Sequence, residues 1–326
     1  MKILVIGGAG YIGGAFVRAA LSAGHTPLVL DNLSTGHRDA VPEGVAFTAG
    51  DLRERRALDP LLAEAEAVVH FAAKSIVSES MADPVGYYRE NLGGFLALLE
   101  GLERSGPRPL VFSSSAAVYG QGEGRPLVED APCRPVNPYG GTKLAMEQTL
   151  VHAAGRLGLR YFSLRYFNAA GGVPGHGERH DPETHLIPLA LEAAQGRRTL
   201  TLYGDDYPTP DGSCIRDYIH IADLAEAHLA ALERLAATEG DDPSGPVNLG
   251  TGHGQSVKEV LACVERVTGR LLPVSVGPRR EGDPALLVAA VDRAAERLGW
   301  RARRPDLDDI VGSAWEWQQG RGIADT

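Results

Sequence analysis

The 326-residue chain has little cysteine: Cys133, Cys214 and Cys263 stand far apart. Three scattered thiols without a CxxC pair give neither a disulfide framework nor a structural zinc site, so reduced thiols are expected. Long apolar runs are also missing. None reaches the ~20 residues that span a bilayer. The opening Lys2-Ile3-Leu4-Val5-Ile6 lacks the long apolar core and small-residue cleavage site of a secretion signal, and a cytoplasmic location is expected. Nor is there a basic block. The 32 Lys and Arg are outnumbered by 42 Asp and Glu, giving a net charge of −10. With both signs spread along the chain, neither nucleic acid nor an anionic membrane is expected as a partner. An acidic protein that handles an anionic small molecule must concentrate positive charge locally, so individual arginines matter.

What the chain does have is length and rhythm. Its length exceeds what one compact core usually serves, which favours two domains. Short apolar runs at residues 2–6, 26–30, 45–48, 67–71, 110–113 and 160–164 alternate with helical stretches at 13–23, 85–104 and 138–158. Continuous rather than alternating apolar runs suit a parallel sheet covered on both faces. The α/β rhythm predicts a Rossmann-type doubly wound parallel sheet over residues 1–168. A second, smaller α/β substrate domain is expected over 169–326, with segments able to fold back onto the first. Residues 169–183, rich in Gly, Pro and His, read as a loop. Turns are expected at 204–212 and 243–246, and an amphipathic helix at 224–237. No internal repeat is evident.

Gly7-Gly8-Ala9-Gly10-Tyr11-Ile12-Gly13 joins the first strand to the first helix. Glycine permits the tight turn and lets backbone N–H groups at a helix N-terminus approach a pyrophosphate, and the last glycine lets helix and sheet pack closely. Asp31 ends the second strand, where a carboxylate accepts the ribose hydroxyls of NAD and repels the 2′-phosphate of NADP. Asn32-Leu33-Ser34 follows, with no arginine, so NAD is favoured.

Tyr139-Gly140-Gly141-Thr142-Lys143 sets Tyr and Lys four apart, on one face if helical, and Pro138 suits a helix start. A free tyrosine, with pKa ~10, is a poor base at neutral pH. A nearby ammonium and a positive nicotinamide ring are expected to favour the phenolate. Ser113-Ser114-Ser115 ends the fifth strand at the sheet's carboxyl edge, where a hydroxyl can bridge substrate and tyrosine. His176 and His180 stand four apart, but in a Gly-rich loop with no third ligand evident, and no metal is expected.

With these motifs the chain resembles the extended short-chain dehydrogenase/reductase family, and within it the UDP-sugar 4-epimerases, over nearly its whole length. The matching stretches are 7–13, 31–37, 70–73, 113–120, 137–143, 164–168, 204–208, 216–220 and 279–283. The resemblance implies Ser115, Tyr139 and Lys143 as the catalytic set. It implies a cofactor site of Gly7, Gly10, Tyr11, Ile12, Gly13, Asp31, Asn32, Ser34, Thr35, Gly36, Asp51, Leu52, Phe71, Ala72, Ala73, Asn91, Ser113 and Phe167. Lys74 is placed there too, although it does not sit squarely on a family position.

On the nucleotide-sugar side it implies Asn168, His185, Leu186, Thr201, Leu202, Tyr203, Arg216, Arg280, Asp283 and Leu287. His185 stands where many relatives carry Asn. Arg216 and Arg280 suit a diphosphate, because guanidinium grips phosphate in a fork. Tyr203 is expected to stack on uracil, and Asp283 to accept a sugar or ribose hydroxyl. Leu287, counted without gaps from Asp283, is the expected wall of the sugar pocket. A homodimer is implied through helices 85–104 and 138–158, with Leu96, Leu99, Leu144 and Met146 as interface or core residues.

The implied reaction interconverts UDP-glucose and UDP-galactose through a 4-keto sugar with tightly bound NAD. A 4,6-dehydratase needs a further acid and base just after the catalytic hydroxyl, where this chain has Ala116 and Ala117. An epimerase for N-acetylated or pentose UDP-sugars stays open, since pocket volume rather than motif separates them. A non-catalytic NAD-binding regulator would be expected to lose Tyr or Lys from the pair, and both are present.

Overall fold

The structure is a computed structural model in which residues 1–122, 124–237, 244–280 and 282–324 are described. Its elements begin β1 (Lys2–Ile6), α1 (Tyr11–Ser22), β2 (Thr26–Asp31), β3 (Ala46–Ala49), α2 (Arg55–Glu64), β4 (Ala67–His70), α3 (Val77–Ala82), α4 (Pro84–Ser105), β5 (Leu110–Ser115), α5 (Pro138–Leu157) and β6 (Tyr161–Tyr166). They continue with β7 (Asn168–Ala170), α6 (Leu186–Ala194), β8 (Leu200–Tyr203), β9 (Ile215–His220), α7 (Ile221–Ala237), β10 (Gly245–Leu249), β11 (Gly254–Ser256), α8 (Val257–Thr268), β12 (Val274–Gly277), β13 (Leu286–Leu287), α9 (Asp292–Leu298) and α10 (Leu307–Ala324).

Seven strands form a parallel sheet in the order β10-β6-β5-β4-β1-β2-β3. The chain winds outward from β1 in one direction and from β4 in the other. The carboxyl ends of β1 and β4 therefore flank the switch point where ligands bind in such sheets. Ile6 pairs with Leu30 on one side and His70 on the other, so the loops after β1, β2 and β4 open side by side. Both faces are covered, which is why these strands read as unbroken apolar runs. On one face Phe16, Val17 and Ala20 of α1 pack with Leu224, Ala231 and Leu235 of α7. On the other, Leu58 and Leu62 of α2, Phe95 and Leu98 of α4, and Met146 and Leu150 of α5 share a core.

Local signals set the long helices. Asp83 caps α4 by accepting from Gly86 N at 2.9 Å, with Pro84 in the first turn. Asn137 caps α5 by accepting from Gly140 N at 2.8 Å, with Pro138 following, and Gly158 closes it at φ 65°. These match the N-terminal proline and C-terminal glycine preferences. Leu99 and Met146 lie in the core, whereas Leu96 faces outward.

The remaining elements form a smaller lobe: β9 carries β11, β13 and β7, and β8 pairs with β12. Helices α6, α8 and α10 share its core through Leu191, Val264 and Val311. Three segments after residue 169 return to the first sheet: α7, α9, whose Ala294 and Leu298 join the core on one of its faces, and β10, which overturns the expected turn at 243–246. Gly245 pairs with Phe162 and Leu249 with Tyr166, at the sheet edge. Val247 and Leu249 are fully buried, and a Gly-Pro start suits an edge strand. Pro243 lies outside the described residues. Helix α2, absent from the sequence-based expectation, is charged outside and buries Leu58 and Leu62. Among the described residues no helix is long and apolar enough to cross a membrane.

Candidate active site

One cavity of about 1240 Å³ runs from the carboxyl edge of the large sheet into the smaller lobe. That is above the usual range for a single ligand. The β1–α1 turn forms one end. Gly7, at φ +83°, lies so close to the β4 loop that a Cβ would sit 2.6 Å from Ala72 N. A Cβ on Gly13 would sit 2.1 Å from Gly7 O. At Gly10 the nearest atom to such a Cβ is Gly7 O at 3.4 Å, so its face is open. Gly10 is the N-cap of α1, with no side-chain cap and no acidic residue in the first turn. First-turn N–H groups have no intrahelical partner, so the cavity meets a bare, positive helix end.

Asp31 borders this end. Its Oδ2 accepts from Ala9 N at 2.9 Å and its Oδ1 from Leu33 N at 2.8 Å, leaving each oxygen a further lone pair. Asn32, Ser34, Thr35, Gly36, Leu52, Phe71, Ala72, Ala73 and Lys74 continue the wall with Tyr11 and Ile12. Cradle, bare helix end and ribose-facing acid fit a dinucleotide.

Asn91 borders the cavity and also braces its wall. It is 2% exposed, and its Oδ1 accepts from Lys74 N at 2.8 Å while Nδ2 donates to Lys74 O at 3.0 Å and Thr142 Oγ1 at 3.1 Å. It thus fixes the strip after β4. Two expected cofactor residues do not line the cavity. Asp51 is tied to Arg53, whose Nε and Nη2 lie 2.8 and 2.6 Å from its oxygens, and that side-chain bonding holds its pKa at about 2. Ser113 turns its hydroxyl to His228 Nε2 at 3.0 Å, under the sheet.

At the cavity's middle, Tyr139 and Lys143 share one face of α5, and Ser115 ends β5. Lys143 is 2% exposed. Its Nζ donates to Ser113 O at 2.8 Å and lies 5.9 Å from the Tyr139 ring centre. Burial lowers its pKa to about 7, opposed by the Glu147 carboxylate. Burial raises the Tyr139 phenol, and its hydrogen bond with Ser115 pulls it partly back. The chain alone therefore disfavours the Tyr139 phenolate, and the phenolate expectation counts on the positive nicotinamide ring as well as on the lysine. The ammonium is spent on a backbone carbonyl, and desolvation dominates.

The smaller lobe supplies the far end through Phe167, Asn168, His185, Leu186, Thr201, Leu202, Tyr203, Arg216, Arg280, Asp283 and Leu287. Arg216 donates to Ile215 O at 2.9 Å, Pro284 O at 2.8 Å and Asp283 Oδ1 at 2.6 Å. Arg280 stands 4.0 Å over the Tyr203 ring. One face of Tyr203 is thus already covered by a guanidinium, which the stacking expectation did not foresee. Asp283 likewise engages Arg216 rather than standing free.

The model of the NAD dependent epimerase/dehydratase family matches residues 3–250. The chain belongs to that family. A UDP-glucose 4-epimerase of Streptomyces lividans is 50% identical over 320 residues, covering 97% of this chain and 95% of that one. Another, from Lacticaseibacillus casei, is 46% identical over 324 residues, with 98% and 97% covered. A crystal structure of UDP-glucose 4-epimerase from Brucella ovis in complex with NAD superposes with a TM-score of 0.92 at 46% identity, covering 97% of each chain.

Within this family member several site residues had no sequence signal. Glu147 lies one turn beyond Lys143 and pairs, buried, with Arg165 at 2.5 Å. It also accepts from Ser114 Oγ, next to Ser115. Its spacing on α5 was the only available clue. Glu178 and His180, in the loop before α6, also line the cavity. His176 does not join His180: it bonds Tyr11 O at 2.6 Å instead.

Proposed function

We propose that the chain is an NAD-dependent UDP-sugar 4-epimerase that interconverts UDP-glucose and UDP-galactose. The observation that carries this is one continuous cavity with a dinucleotide cradle at one end, two arginines at the other and Tyr139, Lys143 and Ser115 between them. Gly7, Gly10, Gly13, Asp31 and the strip held by Asn91 would hold NAD. Bound NAD supplies a reversible hydride acceptor. Tyr139 exchanges a proton with the sugar O4, and Ser115 shares its hydrogen bond. Lys143 holds the Ser113 backbone and lends positive charge beside the ring.

Ala116 and Ala117 carry no proton-transferring group, so the acid and base that loss of water needs are missing from the positions after Ser115. Because both ends share one volume, that sugar stays enclosed until it is reduced from its other face. Arg216 and Arg280 take the diphosphate. Asp283 releases Arg216 in part as it accepts a hydroxyl. Residues 1–168 are the cofactor unit and 169–326 the substrate unit, with α7, β10 and α9 lent back to the first. We further propose a homodimer through α4 and α5, which expose Val85, Tyr88, Leu96 and Val151.

A larger sugar is a second reading with one observation in its favour. Leu287 borders the cavity, is half-buried and pairs with Arg216 across β9. Leucine leaves more room than an aromatic ring would. Assaying UDP-galactose and UDP-N-acetylgalactosamine on one preparation tests both readings. Turnover of neither would refute the proposal.

A further inference from the structure

We propose that Glu178, His180 and His185 form a binding site for a divalent transition-metal ion of the zinc type. Their donor atoms lie within 4.8 Å of one another. His180 Nδ1 meets Glu178 Oε1, and His185 Nδ1 is 3.9 Å from Glu178 Oε2. Glu183 Oε1, 2.8 Å from His185 Nδ1, holds that imidazole from outside the set, and water would complete the ion's coordination. Donors ~2.1 Å from a tetrahedral ion stand ~3.4 Å apart, so small side-chain movements close the set.

Charge points the same way. The side chains of Glu178 and Glu183 are each only 9% exposed. Their partners are imidazoles and backbone N–H groups: Arg179 N at 2.9 Å and His180 N at 3.2 Å for Glu178, Thr184 N at 2.7 Å and His185 N at 2.8 Å for Glu183. Arg179, the nearest guanidinium in sequence, is turned to Asp39 at 2.9 Å. Among the described residues neither carboxylate has a Lys or Arg ion-pair partner. Two carboxylates largely withdrawn from water call for a cation, and mixed His and carboxylate donors suit zinc.

The ion's work is structural. The loop that carries the site is tied to the cofactor end, where Tyr11 donates its hydroxyl hydrogen to Gly171 O at 2.6 Å, and to α10, where Trp317 Nε1 donates to Glu178 O at 3.1 Å. It then leads into Leu186 at the substrate end. An ion here clips the two ends together and takes no part in proton or hydride transfer.

The test uses the purified enzyme with its cofactor retained, stripped of metal by chelator and titrated with Zn²⁺ by calorimetry and with Co²⁺ by visible absorption. One equivalent should bind, the Co²⁺ spectrum should have the intensity of a four- or five-coordinate site, and Zn²⁺ should raise the unfolding temperature. His180→Ala and Glu178→Gln should each weaken binding by about tenfold or more, whereas His152→Ala, on the exposed side of α5, should bind as the parent does. No saturable uptake by the parent below about 100 µM Zn²⁺ would overturn the proposal, with protons on the histidines then balancing the charge. A weak six-coordinate Co²⁺ spectrum, or parent-like binding by both variants, would overturn it as well. Should either variant fail to fold, the parent's stoichiometry and spectrum decide alone.

Discussion

Replacing Lys143 by methionine should make the cofactor-free chain more stable while removing most of its activity. Lys143 is 2% exposed, and burial takes its pKa from the ordinary 10.5 to about 7 against the opposing pull of Glu147. A drop of that size corresponds to roughly 5 kcal/mol against the charged form. Methionine has similar length and no charge, but it forfeits the charge-assisted bond to Ser113 O, of order 1.5–3 kcal/mol. The net expectation is ~2–3 kcal/mol of added stability at pH 7, the usual result of exchanging a buried charge for an apolar isostere. The sign of the pH dependence follows. Because the folded pKa is depressed, the unfolded chain binds more protons between pH 7 and 10.5, so stability from this group rises with pH across that window and is flat below it. The variant should lose that slope, by up to ~1.4 kcal/mol per pH unit. Urea unfolding of both cofactor-free proteins at pH 6, 7, 8 and 9 measures both quantities. A variant less stable than the parent at pH 7, or one with an unchanged slope, would refute the reasoning.

Tyr139→Phe should lower turnover by ~10²–10⁴-fold while NAD content and folding stay near the parent's, as read by steady-state assay and by nucleotide released on acid denaturation. Gly13→Ala places a Cβ 2.1 Å from Gly7 O, so the purified variant should carry little NAD and unfold at lower temperature. Leu287→Tyr should cut turnover of UDP-N-acetylglucosamine by ~10-fold or more, about 1.4 kcal/mol, while sparing UDP-glucose. Equal losses on both sugars would mean damaged packing and remove Leu287 as the gate.

The parts legible in the sequence are those governed by local rules. The glycines at 7, 10 and 13 answer to turn geometry, Asn137 and Pro138 announce α5, and a four-residue spacing puts Tyr139 and Lys143 on one face. What stayed hidden depends on residues far apart in sequence. β10 pairs with a strand some 80 residues earlier, and its Gly-Pro start mimics a turn. Asn91 borders the cofactor end as expected, but its grip on the backbone of Lys74 had no sequence signal. Ser113 belongs to a motif stretch and Asp51 is implied by the resemblance, but their side chains are taken by His228 and Arg53. Tyr203 was expected to stack on uracil, and the fold places Arg280 over one face of it. The Glu178, His180 and His185 set sits in a loop without periodicity, where spacing alone says nothing about convergence.

The central claim is that this chain inverts C4 of a UDP-hexose by removing and returning the same hydride inside one closed site. Its most direct test gives the pure protein UDP-galactose deuterated at C4, with no added cofactor or reductant, and follows the products by NMR. The account predicts UDP-glucose that retains deuterium at C4. Absence of UDP-glucose, or UDP-glucose whose C4 deuterium has been replaced by solvent hydrogen, would contradict it.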